Sequence, residues 1–300
     1  MNPKLALITN PRVLCKIIIT DYCHWIPDKL FLIIMYRLNF RKKLNLKNPQ
    51  TFSEKLQWLK LYNRQPEYTL MVDKVKAKEY VTSVIGGEYI IPTLGVWESP
   101  NDIDFDNLPE RFVLKCNHNS GTGMYICKDK SKMDIEKVKA ELRKGLQEDY
   151  YIKNREWPYK DVERRIFAES YMEDEFGELR DYKFFCFDGE VKALFIATDR
   201  SKGEHAVRFD FFDDDFNHLP FTNGHPNASV PPKKPVMFEK MKTLASNLSK
   251  GFPHVRIDFY EVGAQIYFGE MTFFHWSGMK PFVPEEWDYR FGSWIKLPPK

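Results

Sequence analysis

Arg256-Ile257-Asp258-Phe259-Tyr260 and, one short connection later, Gly269-Glu270-Met271-Thr272 carry the residues best suited to chemistry. Both runs alternate apolar residues, and the connection Glu261-Val262-Gly263-Ala264 contains a glycine, so the pair reads as a β-hairpin. On adjacent strands Asp258 and Glu270 come side by side on one face. Carboxylates that close repel unless a cation or a shared proton lies between them. Hard oxygen ligands of this kind suit Mg²⁺, which keeps several waters and commonly binds phosphate oxygens too. Arg256 shares the face of Asp258 and is placed to hold a phosphate beside the metal. The alternative is a pair of exposed charges on a two-stranded ribbon.

A second group surrounds Lys115, which ends the apolar run Phe112-Val113-Leu114 and leads into Asn117-His118-Asn119-Ser120-Gly121-Thr122-Gly123. Glycines let backbone N–H groups approach phosphate oxygens, hydroxyls add donors, and the lysine adds fixed charge. No Gly-Lys-Ser/Thr follows, so this is not a Walker A loop, and a plain hairpin turn remains the alternative. Glu169 sits at the centre of Ala168-Glu169-Ser170-Tyr171-Met172; between two lobes such a segment reads an adenine edge through its backbone and ribose hydroxyls through the acid. A salt-bridged surface glutamate is the other reading. Arg180-Asp181-Tyr182-Lys183 opens a hairpin that turns at Asp188-Gly189 and closes at Asp199-Arg200, giving a wall of mixed charge from Asp181, Lys183 and Arg200.

These residues need an extensive scaffold, and 300 residues with 43% hydrophobic content supply one. Lys and Arg total 45 against 42 Asp and Glu, so general nucleic-acid binding is not expected. Five cysteines without a CxxC pair indicate neither a disulfide framework nor a zinc site, and a cytoplasmic location is expected. No secretory leader is read, because Leu5-Ala6-Leu7-Ile8 is broken by Asn10-Pro11. Leu30 to Tyr36 is far shorter than the roughly 20 residues of a bilayer span. Its basic flanks leave two readings for residues 29–43, an ordinary core helix or a peripheral contact with the inner membrane face. The pattern is helical over residues 1–100, with helices from Thr51 and over Asp73 to Val81, and becomes short strands from Tyr89. Leu219 to Pro235 reads as a lid or connector. The expected class is α+β, with small mixed sheets.

The order of elements resembles the ATP-grasp superfamily. TFSEKLQWLKLY, VDKVKAKEYV, LKCNHNSGTG, RDYKFFCFDG and FGEMTFFHWSGM resemble its TupA-like branch, associated with teichuronopeptide and other surface-polysaccharide clusters. The resemblance implies two small α/β lobes gripping ATP, at residues 101–172 and 173–300, after a helical region 1–100. It implies that Lys74 and Lys115 bind ATP phosphates, that Ser120, Gly121, Thr122 and Gly123 cover them, and that Glu169, with Tyr171 and Asp181, serves the nucleotide. Asp258 and Glu270 would hold Mg²⁺, joined by Thr272 where the usual pattern has Asn, and Arg256, Lys183 and Arg200 would assist transfer. His205, Arg208 and His275 are candidates for substrate. The implied reaction joins an amine or amino acid to a carboxylate through an acyl phosphate, the carboxylate belonging to a uronic acid or similar group on a free or lipid-linked saccharide. The alternatives are an ATP-grasp kinase and a glycosyltransferase, for which Asp213-Asp214-Asp215 would be the DxD motif.

Overall fold

The computed structural model describes residues 10–175, 177, 179–199, 203 and 205–299. Arg200 and the Leu5 to Ile8 run lie outside the described residues. The helices are α1 (Pro11–Tyr22), α2 (Asp28–Phe40), α3 (Phe52–Tyr62), α4 (Glu67–Val72), α5 (Ala77–Ile85), α6 (Ile135–Gln147), α7 (Tyr150–Asn154), α8 (Phe238–Leu248) and α9 (Glu286–Trp294). Strands β1 (Thr93–Trp97), β2 (Phe112–Cys116), β3 (Met124–Cys127) and β4 (Ile166–Ser170) form an antiparallel sheet in the order β1-β4-β2-β3. Strands β5 (Asp181–Phe187), β6 (Glu190–Thr198), β7 (Arg208–Asp213), β8 (His218–Leu219), β10 (Val255–Val262) and β11 (Gln265–Thr272) form a second, ordered β11-β10-β5-β6-β7-β8. The short strands β9 (Thr222–Asn223) and β12 (Phe282–Val283) pair with each other. The smaller sheet takes its edge strand from residues 93–97, ahead of the expected start at 101.

The larger sheet is covered on both faces, which is why β5 reads Phe-Phe-Cys-Phe rather than alternating with polar residues. Phe184 packs toward Phe238 of α8, while Phe185 packs toward Phe52 of α3 and Phe291 of α9. Helix α3 therefore belongs to the larger sheet's core, although it lies early in the chain. Thr51 and Glu54 close a capping box at its start. The β5–β6 turn places Asp188 and Gly189 at φ 49° and 82°, the left-handed pair that a tight hairpin requires.

The expected helix from Asp73 to Val81 is corrected at its start, since α5 begins at Ala77. The chain breaks there because Asp73 Oδ1 accepts from Val75 N at 2.9 Å and Lys76 N at 3.3 Å, a local turn that competes with the helix. Lys74 consequently lies in a turn between α4 and α5. The Leu219 to Pro235 segment is pinned over its first half, where Asn223 Nδ2 donates to Lys280 O and Pro281 O.

Three buried imidazoles, His118, His254 and His275, give the fold an acid sensitivity, burial lowering the pKa of each. Burial pushes the pKa of His254, which donates to Cys186 O at 3.0 Å, down from 6.5 to about 3, and pushes that of His275 well below 6.5. All three take protons more readily when unfolded, so their contribution is full above about pH 6.5 and is lost as pH falls. Burial raises the Asp288 carboxyl to about 6, which works in the opposite sense between that value and its ordinary 3.8. Urea unfolding should show lower stability at pH 5.5 than at pH 7. Equal stability at the two pH values would contradict this.

Candidate active site

A cavity of about 750 Å³ lies between the two sheets, and strand alternation decides which residues reach it. On β2, Phe112, Leu114 and Cys116 pack with Val138 and Leu142 of α6, which turns Lys115 to the cavity. On β4, Ile166 and Ala168 join the same core, leaving Phe167 and Glu169 on the cavity side. Across the cleft, Asp181 and Lys183 of β5 and Arg256 of β10 face it, while Ile257 and Phe259 are buried in the larger core.

Glu270 reaches the same wall through a bulge. Asp258 pairs with Glu270, but the next residue, Phe259, pairs with Phe268, so Gly269 is the extra residue. The bulge reverses the alternation of β11, placing Glu270 and Thr272 in the cleft while Phe268 enters the core. A Cβ on Gly269 would stand 3.1 Å from both Asp258 O and the Tyr260 ring, so glycine keeps the bulge close.

Arg256 is the hub of this wall. Its Nε and Nη2 donate to Asp258 Oδ1 and Oδ2, each at 2.7 Å, and Nη2 also reaches Glu270 Oε1 and Thr272 Oγ1, each at 3.0 Å. Nη1 donates to His275 Nδ1 at 2.8 Å. Lys183 donates to Asp258 Oδ2 and lies 3.1 Å from Asp181 Oδ1. Asp258 is fully buried, whereas the Glu270 side chain is 31% exposed. Burial would raise the Glu270 pKa, but Lys183, Lys74 and Arg256 outweigh it and pull it down to about 2, so the group stays ionised at every working pH.

The opposite wall is also cationic. Lys115 donates to Glu169 Oε2 and Lys78 to Glu169 Oε1, each at 2.7 Å. Burial raises the Glu169 carboxyl, yet Lys115 and Lys78 together leave its pKa lowered. Glu169 thus stands behind Lys115 and fixes it, with each oxygen already holding a lysine. Lys74 donates to Asn119 O at the base of the loop that carries Ser120, Gly121 and Thr122 to the cavity. Asn119 Nδ2 anchors that base on Gly145 O and Glu148 Oε2.

Several expected positions lie elsewhere. Gly123 turns away: a Cβ there would meet Cys116 Sγ at 2.6 Å and Gly145 Cα at 2.7 Å, so the residue packs the loop on α6. Tyr171 follows the end of β4 and stacks under Arg111, 4.1 Å from its guanidinium, outside the cavity lining. Val207 and Phe209 line the cavity, so Arg208 between them projects the other way and donates to His205 O and Val207 O. His205 is exposed outside the lining. Asp213 Oδ1 caps its own turn, accepting from Asp215 N and Asn217 N, and no residue of the Asp213–Asp215 triplet lines the cavity.

His275 is 2% exposed and offers no free nitrogen. Asn223 Nδ2 already donates to two carbonyls, so its Oδ1 accepts from His275 Nε2 at 3.0 Å, and Arg256 donates into Nδ1. This fixes a neutral ring that positions Arg256 from behind. His275→Ala should lower kcat about 10- to 100-fold by freeing Arg256, with ATP affinity retained. His275→Gln, which can still accept from Arg256, should recover part of the loss. Unchanged kcat in the alanine variant would remove His275 from this role.

Lys60, Glu156 and Ser277 form a buried group on the cavity's far side that motif reading missed. Lys60 Nζ donates to Asn154 O at 2.9 Å and Ser277 O at 2.8 Å, while Ser277 Oγ donates to Glu156. Burial lowers Lys60 to about 8, with Glu156 acting against it, and burial raises Glu156. The signal was a lysine on the apolar face of α3, four residues after the buried Leu56. Trp276, Ser277 and Gly278 all have positive φ, and a Cβ on Gly278 would stand 2.5 Å from Gln57 Nε2.

Glu270 and Thr272 fit a Mg²⁺ site by donor chemistry, a carboxylate and a hydroxyl at the cavity, whereas the expected ligand Asp258 lies outside the lining, fully buried with its oxygens held by Arg256 and Lys183. Among the described residues no group of three His, Cys, Asp or Glu side chains that could hold a metal ion converges. Arg256 and Lys183 already balance the two carboxylates, so a divalent cation here needs further negative charge brought by its ligand.

The sequence matches the family described as TupA-like ATPgrasp over residues 54–296. Among curated proteins none matches. Of the solved structures, D-alanine–D-alanine ligase from Bacillus anthracis complexed with ATP is similar at 14% identity and a TM-score of 0.44, over 75% of this chain and 63% of that one. D-Alanine–D-alanine ligase from Helicobacter pylori is similar at 13% identity and 0.44, over 82% and 69%. N5-carboxyaminoimidazole ribonucleotide synthetase from Thermus thermophilus is similar at 12% identity and 0.40, over 82% and 54%. The chain thus spans less than two thirds of the Bacillus anthracis ligase.

Proposed function

Since the chain belongs to the TupA-like ATP-grasp family, we propose that it is an ATP- and Mg²⁺-dependent ligase that joins a carboxylate to an amine through an acyl phosphate. The observation that carries this reading is the convergence of Lys74, Lys115, Lys183 and Arg256 from both walls on one cavity, with half-buried Glu270 among them. Phosphoryl transfer between anions needs positive charge around the moving group more than it needs a protein nucleophile. Lys74 and Lys115 hold phosphates from one side, with Ser120, Gly121 and Thr122 above them. Arg256 and Lys183 face the transferred group from the other. Glu270 and Thr272 would hold Mg²⁺, with Asp258 joining them once it releases an oxygen from Arg256 or Lys183, and the ion would neutralise phosphate charge.

A carboxylate oxygen of the acceptor attacks the γ-phosphorus, the bond to the β-phosphate oxygen breaks, and ADP leaves. The amine then attacks the acyl carbon, the C–O bond to phosphate breaks, and phosphate departs as the amine loses a proton. A closed cavity matters because acyl phosphates hydrolyse. We assign the acceptor to the uronic acids or related carboxylates of surface-polysaccharide precursors, the amine to an amino acid or similar compound, and the protein to the cytoplasm. The test is a mass-resolved assay with ATP, Mg²⁺, uronic acids and pooled amino acids. ADP with an amide adduct supports the proposal; ADP with a stable phosphorylated sugar replaces it with a kinase.

A further inference from the structure

Helix α1 is amphipathic in composition yet none of its residues is buried. Leu14 and Ile18 are exposed on it, followed by Tyr22 at 76% and Trp25 at 80%, and α2 adds exposed Leu30 and Ile33. A lone surface leucine needs no explanation, but these exposed apolar residues recur along two helices that pack together. Beside it Arg12, Arg37 and Arg41 converge on a groove of about 330 Å³ floored by Ile33, Ile34 and Leu38. Among the described residues none of these three arginines is paired with a carboxylate.

We propose that α1 and α2 form a docking surface for an anionic lipid bilayer, with Leu14, Ile18, Tyr22 and Trp25 entering the interface and the arginine groove taking lipid phosphates. Charge selects this occupant. Residues 10–43 hold seven basic side chains against two acidic ones, although the whole chain is nearly balanced. Of the two acids, Asp28 is engaged by Arg64 at 2.6 Å and Tyr151 at 2.5 Å. A second copy presenting the same face would meet like charge, whereas an anionic leaflet attracts it. Exposed Trp and Tyr beside aliphatic residues suit the headgroup boundary. Helix α1 has 12 residues, and among the described residues no helix is long and apolar enough to cross a membrane, so the contact lies along the surface.

The opposite side of α2 lines the active cavity through Met35 and Asn39, and Lys16 of α1 donates to Asn39 Oδ1 at 2.5 Å. Docking therefore brings the cavity beside the bilayer. The surface stands independently of the ligase reading, since none of its residues belongs to the proposed ATP site.

The experiment is vesicle sedimentation of the full chain with phosphatidylcholine alone and with about one third phosphatidylglycerol. Binding to the anionic vesicles, weakened by salt, is expected. The triple variant Arg12→Gln, Arg37→Gln, Arg41→Gln should bind roughly a hundredfold more weakly, from about a fivefold loss for each charge. Trp25→Ser should also weaken binding, with circular dichroism unchanged in both. Failure to bind either vesicle, or binding that neither variant alters, overturns the proposal. So does a dimer in equilibrium sedimentation that Trp25→Ser abolishes while vesicle binding is absent.

Discussion

Glu270→Gln is expected to lower Mg²⁺-dependent ATP turnover about 10²- to 10³-fold while leaving thermal unfolding near that of the parent chain. The side chain is 31% exposed at the cavity wall, so removing its charge alters metal and phosphate binding without opening the core. Asp258→Asn should abolish turnover too, but at a structural cost. Asp258 is fully buried between Arg256 and Lys183, and neutralising it leaves two buried cations without their shared counter-ion. Breaking such a group costs about 3 to 5 kcal/mol. Denaturant unfolding of the two variants side by side checks the split; normal turnover in both would remove the metal assignment, and equal stability would contradict the buried-pair account.

Arg256→Lys carries the second large effect. The guanidinium donates to both oxygens of Asp258, to Glu270, to Thr272 and to His275 at once. An ammonium retains the charge but has only three donors and no planar fork, so it cannot reproduce that set. His275 Nδ1 is left without its donor in a buried place. Turnover should fall by about 10³-fold, and stability by about 1 to 3 kcal/mol. Near-normal kinetics in the lysine variant would mean that charge alone matters and that the orientation imposed by His275 does not.

The chemistry of the β10–β11 hairpin was legible because its strands alternate, its turn contains Gly263, and its acids stand opposite one another in register. Lys115 was legible for a related reason, since the apolar parity of β2 leaves it on the open face. Parity also explains the misplacements. The sequence offers Arg208 as a substrate candidate, but only the packing of β7 reveals that Phe209 faces the cleft and Arg208 does not. Tyr171 lies just beyond β4, where alternation no longer predicts direction. Lys60, Glu156 and Ser277 are distant in sequence and meet only through the turn at Trp276 to Gly278, so no local pattern joins them. The helix expected from Asp73 begins only at Ala77 because an aspartate can satisfy backbone N–H groups itself.

The most direct test of the central claim follows oxygen. With the carboxylate of the acceptor labelled with ¹⁸O, and ATP, Mg²⁺ and the amine supplied, attack by that carboxylate on the γ-phosphorus predicts that the released phosphate carries one labelled oxygen and the amide retains the other. ATP consumption that yields unlabelled phosphate, or a product holding phosphate on a hydroxyl, would contradict activation of the carboxylate at the Arg256 wall.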